Sequence, residues 1–328
     1  MSIGVVVIGR NEGSRLLASL SSLSCTGYPV IYVDSGSSDG SVAIARSKGC
    51  RVLELDHDHP FTAARARNEG FIELTREYPA IQFVQFLDGD CTLAPGWLRI
   101  ASATLAHSPD YAAVIGHLTE ANASATKFNR LCAMEWKSQP GDLSNYSSLG
   151  GISMIRVGVF RQLCGFNQDV IAGEDSELGV RMSLAGYRIS KLDHEMATHD
   201  ANMTKFSQWW KRSIRAGHAI GQRAFLNGDS PVRDCVRERR STLFWGLVLP
   251  LFILLVLPLN GMVSLLLLGG YVVLGIRVFS YRRHLGDSAA DAYLYARYLV
   301  LAKLANGLGL IKFYWNKFCQ RYEIIEYK

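Results

Sequence analysis

The chain has 328 residues, 48% of them hydrophobic, and a formal net charge of +6, so it holds enough apolar material for a sizeable core and does not read as disordered. Its 35 Lys and Arg gather where hydrophobic segments begin and end, not in a stripe interleaved with aromatics, which argues against nucleic acid and for a membrane surface as partner. The seven cysteines (25, 50, 91, 132, 164, 235, 319) lack CxxC pairs and zinc spacing, so they are expected to be reduced, with no disulfide framework.

Met1 leads directly into the apolar run 3–8 (IGVVVI), without the basic start and long apolar core of a signal peptide, so the N-terminal part is expected in the cytoplasm. Similar runs follow at 30–33, 51–55 and 81–87, with helical patterns such as 13–24 and 40–48 between them. Strands alternating with helices predict an α/β fold, a mainly parallel sheet with helices on both faces. The strands end in polar, turn-forming segments (GRNEG, DSGSSDGS, DGD), and ligands of such sheets bind outside those carboxyl ends. From 110 to 200 the pattern predicts short strands at 112–118, 150–157 and 187–192 and a helix starting near Glu174.

Residues 203–227 read as a helix carrying Gln208-Trp209-Trp210-Lys211-Arg212. Adjacent tryptophans cannot share one helix face, so one is expected to pack inward. The segment 242–279 contains one charge, Arg277, and a Pro258-Leu259-Asn260-Gly261 turn, which predicts a hairpin of two apolar helices near the lower length limit for crossing a bilayer, ~20 residues each. Arg237, Arg239 and Arg240 before it, and Arg277, Arg282 and Arg283 after it, put both ends on the cytoplasmic side of the inner (plasma) membrane. The stretch 292–318 mixes aromatic and basic residues and reads as a helix in the headgroup region or as a third span. The resulting division is 1–228 as an α/β domain, 229–241 as a basic linker, 242–280 as a membrane hairpin and 281–328 as an amphipathic interfacial tail.

Candidate site residues cluster at the strand ends. Asp88-Gly89-Asp90 delivers two carboxylates to one strand terminus, a hard-oxygen arrangement suited to Mg²⁺ or Mn²⁺ holding a diphosphate; Asp-Gly is also plain turn chemistry. Asp34 and Asp39 can accept the N–H of a pyrimidine base, or Asp39 can cap the following helix. Glu12 can accept from a ribose hydroxyl or be a solvated first-turn acid. Arg65, Arg67 and Asn68 sit at a helix start where a guanidinium can meet phosphate, unless they are surface residues. Glu174-Asp175 opens a helix as dipole compensation or as a proton acceptor, and His199 suits a metal or a core hydrogen bond.

Taken in order, VVVIGRNEG, IYVDSGSSDGS, ARARNEGF, FLDGDC, GGISMIRVGVFRQLCGFNQDVIAGEDSELGVRM and QWWKRSIRAG resemble glycosyltransferase family 2, inverting enzymes of the GT-A fold, over roughly residues 1 to 225. The resemblance implies a nucleotide-diphosphate sugar as donor, a divalent metal, and a lipid-linked or glycan hydroxyl as acceptor in envelope or exopolysaccharide assembly. It puts Glu12, Asp34 and Asp39 at the nucleoside, Arg67 at base or phosphate, Asp88 at the nucleotide and Asp90 on the metal. Asp175 falls on the catalytic base with Glu174 beside it, His199 on a metal or diphosphate contact, and Trp209, Trp210 and Arg212 on the acceptor side. Two departures stand out: Gly9-Arg10 replaces a proline and an aromatic, and QWWKR differs from the QxxRW signature of processive synthases. The rival readings are a membrane-bound sugar nucleotidyltransferase, for which GRNEGSRL is a poor diphosphate loop, and a catalytically silent sugar-nucleotide scaffold, against which the retention of Asp88, Asp90 and Asp175 argues.

Overall fold

A computed structural model describes all residues except 1, 144, 145, 147, 148, 322–324 and 326–328, so part of the predicted tail lies outside the described residues. Two compact units emerge, Met1–Ala123 with Glu135–Asn202, and Ser124–Met134 with Met203–Lys328. The first unit is built on one sheet that, among the described residues, has nine strands: β1 (Ile3–Gly9), β2 (Val30–Asp34), β3 (Arg51–Glu54), β4 (Phe83–Asp88), β5 (Cys91–Leu93), β6 (Tyr111–Glu120), β7 (Gly141–Asp142), β8 (Ser153–Arg156) and β9 (Arg188–His199). Between them run helices α1 (Ser14–Leu23), α2 (Ser41–Ser47), α3 (Ala63–Glu77), α4 (Trp97–His107), α6 (Val157–Gln162) and α7 (Glu174–Leu184), while α5 (Lys127–Glu135), all but its last residue, belongs to the second unit.

The order is β3-β2-β1-β4-β8-β6-β9-β5, with β7 on β9. The first four strands are parallel, and the unbroken burial of Val5, Val6 and Val7 reflects helices covering both faces. Beyond β4 the sheet is mixed, because β8 runs antiparallel to both β4 and β6. A four-residue strand such as β8 carries no mark of its direction, so sequence reading could not foresee the reversal. β9 is much longer than the predicted 187–192, since its exposed middle, Asp193 to Glu195, interrupts the apolar pattern without interrupting the strand. β5 was not expected at all, and it brings Cys91 opposite His199 on β9. In the parallel half, Gly9 pairs with Asp34 and Ile8 with Asp88, so three strand ends finish level and present their loops together.

The second unit is helical: α8 (Phe206–Asn227), α9 (Val236–Leu243), α10 (Leu249–Val256), α11 (Gly261–His284) and α12 (Ala289–Phe318), with a π-helical turn at Phe244–Val248 joining α9 to α10. This division differs from the expected 1–228 domain and 229–241 linker. α8 belongs with the C-terminal helices, because its apolar stripe packs along α12, where a side chain at Gly217 or Gly309 would run into the facing backbone. Arg237, Arg239 and Arg240 stand in the first turns of a continuous helix. Val236–Val256, Gly261–His284 and Ala289–Phe318 are each long and apolar enough to cross a membrane. Asn260 ends the connecting turn by accepting the Val263 N–H at the start of α11. All seven cysteines are free.

Candidate active site

The loops after β1 and β2 are laced together by short polar side chains. Asn11, in a left-handed conformation (φ 55°), donates its N–H to Ser37 Oγ (2.9 Å) and accepts the Ser38 N–H at Oδ1 (2.8 Å). Ser41 Oγ accepts the N–H groups of Glu12 and Gly13 at 3.2 Å. Asp34 is 2% exposed; the hydroxyls of Tyr32 (2.9 Å) and Ser37 (2.6 Å) donate to its Oδ1, and the Ser37 N–H donates to its Oδ2 (2.7 Å). It braces the loop through these bonds. Burial, then the adjoining Asp34 carboxylate, raise the Tyr32 pKa well above its ordinary value, so the phenol stays a donor. Asp39 is exposed and accepts the Ser41 N–H (2.9 Å) at the start of α2. Partial desolvation acts to raise its pKa, but bonds from Ser41 and Gly13 outweigh it and keep the pKa below the usual range. Glu12 pairs with Arg15 (2.8 Å), and its Cγ occupies the space that a side chain at Gly9 or Gly89 would need.

Arg67 and Arg65 are buried, not surface residues, although both open α3. Arg65 donates to the carbonyls of Asp56 and His59, clamping that loop. Asn68 holds the Phe166 backbone through both its amide atoms. Arg67 is 3% exposed and bridges two carboxylates, Asp88 Oδ1 (2.7 Å) and Glu174 Oε1 (2.6 Å). The bridge joins the end of β4 to the first turn of α7 across 107 residues of sequence. Burial opposes the charge on Arg67, yet Asp88, Glu174 and Asp175 outweigh it and raise the pKa further above its ordinary value. The guanidinium thus positions two acids. Gly151 makes room for it, since a Cβ there would collide with the guanidinium.

A second cluster lies one residue beyond Gly89. Asp90 is buried, and its Oδ2 stands 3.4 Å from His199 Nε2. The other ring nitrogen of His199 faces Glu120 Oε2 at 3.5 Å, and Trp136 packs edge-on to the imidazole at 4.7 Å between centroids. Glu120, whose side chain is fully buried, also accepts the Ala201 N–H. Asp90, Cys91 and His199 offer ligand atoms within 4.8 Å of one another. Carboxylate oxygen with imidazole nitrogen suits a divalent ion of the Mn²⁺ type, and a carboxylate behind the histidine is the usual way its orientation is held. The residues therefore fit the expected metal. Glu120 and Trp136 were missed by sequence reading; the only available signal was an acid ending the apolar run of β6. Asp175 is half-buried in the first turn of α7 and accepts the Ser176 N–H. Trp209, Trp210 and Arg212 lie in the helical unit. There Trp209 is 3% exposed against Phe128 and Tyr298, while Trp210 is half-buried.

Residues 4–163 match the family model described as Glycosyl transferase family 2, and residues 137–206 match that of the N-terminal domain of galactosyltransferase. The 4–163 stretch is a glycosyltransferase family 2 domain. Pre-mycofactocin glycosyltransferase of Mycobacterium tuberculosis is 28% identical over 242 residues, which cover 69% of this chain and 48% of that protein. The chain thus spans about half the length of that relative. Succinoglycan biosynthesis protein ExoA of Rhizobium meliloti is 28% identical over 202 residues, 58% of this chain and 60% of ExoA. Among solved structures, the mannosyltransferase PcManGT from Pyrobaculum calidifontis, in complex with GDP-Man and Mn²⁺, is similar with a TM-score of 0.66 at 18% identity, covering 96% of this chain and 87% of that one. That likeness shows the shared fold, the GT-A arrangement expected from the sequence.

Proposed function

We propose that this chain is an inverting glycosyltransferase that moves a sugar from a nucleotide-diphosphate sugar to a hydroxyl of a lipid-linked or glycan acceptor in envelope or exopolysaccharide assembly. The observation that carries the reading is the Arg67 bridge, which holds the DGD strand end and the Glu174-Asp175 helix start in one arrangement. The laced loops around Asn11, Glu12 and Asp39 bind the nucleoside, with Asp39 as the exposed acceptor for a base N–H. Asp90 and His199 hold the divalent ion, which when bound offsets charge on the leaving diphosphate. Asp175 takes the proton of the acceptor hydroxyl as its oxygen attacks the anomeric carbon opposite the leaving group. The new C–O bond forms as the bond to the diphosphate breaks, and configuration inverts. Arg67 stays with Asp88 and Glu174 throughout and holds the helix start that carries Asp175. The helical unit serves the acceptor side from the cytoplasmic face of the inner membrane, with Trp210 and Arg212 its contacts.

The test is a screen of nucleotide sugars for hydrolysis and thermal stabilisation with and without Mn²⁺, followed by Asp175→Asn on the best donor. The expected outcome is donor affinity within about twofold of the parent and transfer reduced by roughly 10²- to 10⁴-fold, the usual contribution of a general base. Donor binding lost in proportion to rate would assign Asp175 to helix architecture instead.

A further inference from the structure

The helical unit contains a cavity of about 230 Å³ between the end of α8 and the start of α9. Ala224 and Gly228 contribute to its wall, and Arg233, Arg239 and Arg240 line it together with one acid, Asp229. Among the described residues, none of the three arginine side chains has a carboxylate within ion-pair distance or a hydrogen-bond acceptor. Three guanidinium groups against one carboxylate leave an excess of two positive charges around one hollow.

The wall is built, not draped. Arg223 and Asp234, each 7% exposed, form a two-pronged ion pair at 3.0 and 2.6 Å that ties α8 to the loop before α9. On either side of Asp234 the backbone turns left-handed, at Arg233 (φ 52°) and Cys235 (φ 54°), a conformation that ordinary residues hold only when their surroundings impose it. The Arg239 N–H then bonds the Cys235 carbonyl (2.8 Å), so Arg239 and Arg240 stand on a formed helix. That helix continues as Val236–Val256, the first segment long and apolar enough to cross a membrane. The cavity therefore opens where an apolar helix begins, the depth at which headgroups meet protein.

From this we propose that the cavity binds a phosphate group, that of an anionic lipid headgroup or of a soluble phosphate compound. Guanidinium forks match phosphate oxygens in pairs, and a phosphate would neutralise the excess charge that the protein leaves unanswered. The inference does not depend on the catalytic reading, because none of these residues belongs to the strand-end site.

The test uses the full-length chain, delipidated in neutral detergent, with melting followed as phosphatidylglycerol, phosphatidylcholine or inorganic phosphate is titrated. Arg239→Gln is compared with Arg237→Gln, which removes the same charge from the same helix outside the cavity. Expected is a saturable rise in melting temperature with phosphatidylglycerol, half-saturation weakened about tenfold by Arg239→Gln, as for one charge-assisted bond, and less than about twofold by Arg237→Gln. A response to inorganic phosphate alone would make the ligand a soluble phosphate; a response to phosphatidylglycerol alone would make it a headgroup. Equal weakening by the two variants, or no saturable response in either arm, overturns the site. If Arg239→Gln already melts early without ligand, the parent decides: saturation with phosphatidylglycerol above phosphatidylcholine, or with inorganic phosphate, supports the site, and neither refutes it.

Discussion

Arg67 faces Asp88 and Glu174 with almost no water around its own side chain, so its removal leaves two acids facing each other without a counter-charge. Arg67→Met is expected to cost about 3 kcal/mol, seen as a lowered unfolding midpoint in detergent, and adding Glu174→Gln should recover part of it. A midpoint equal to the parent's would mean the bridge contributes nothing to holding α7. Glu120 acts on the neighbouring cluster through His199. Glu120→Gln should weaken Mn²⁺ binding by about 10- to 100-fold, measured by titration in the presence of nucleotide, while nucleotide binding without metal is retained. Metal affinity unchanged by Glu120→Gln would remove Glu120 from any supporting role. At this scale the sequence was legible where chemistry is local: the DGD triplet and the Glu-Asp pair announce themselves. It was silent on Glu120 with His199 and on Arg67 with Glu174, partners 79 and 107 residues apart that only sheet topology brings together.

Among the elements, the parallel strands were readable because burial on both faces demands continuous β-branched and aromatic runs. The direction of β8, the three-residue β5 and the extent of β9 follow from pairing partners, which propensity does not encode. Helix α8 was recognised but not its grouping with α12, since amphipathicity says that a face is covered without saying by what. That face is closed by backbones in near contact: a Cβ at Gly309 would strike the Ile214 carbonyl, and one at Gly217 would strike Asn306. Gly246 and Gly307 meet in the same manner. Gly309→Leu should therefore separate α8 from α12 and destabilise the helical unit by at least about 2 kcal/mol, detected as earlier protease cleavage between residues 203 and 227. Cleavage at the parent's rate would show that the crossing can yield.

For the molecule as a whole, composition announced a polar-faced α/β body and an apolar C-terminal third, and the structure adds that α12 as well as the hairpin is long enough to span. The chain should stay in the membrane fraction after an alkaline carbonate wash and require detergent for extraction; recovery as an aqueous monomer would mean these helices are covered by protein instead. Contact with lipid also leaves a signature in how sequence can change. On α11 only Ser264 and Arg282 are buried, so its many outward Leu, Val and Ile residues answer to a fluid solvent that asks for apolarity and not for shape. Substitution among apolar residues there should be close to neutral in a saturation mutagenesis screen. The glycines at 217, 246, 307 and 309 should tolerate almost nothing larger. Neighbouring helices that are each apolar enough to span, α11 and α12, would then diverge at opposite rates, one drifting freely in composition and the other held at its glycines to a single residue type.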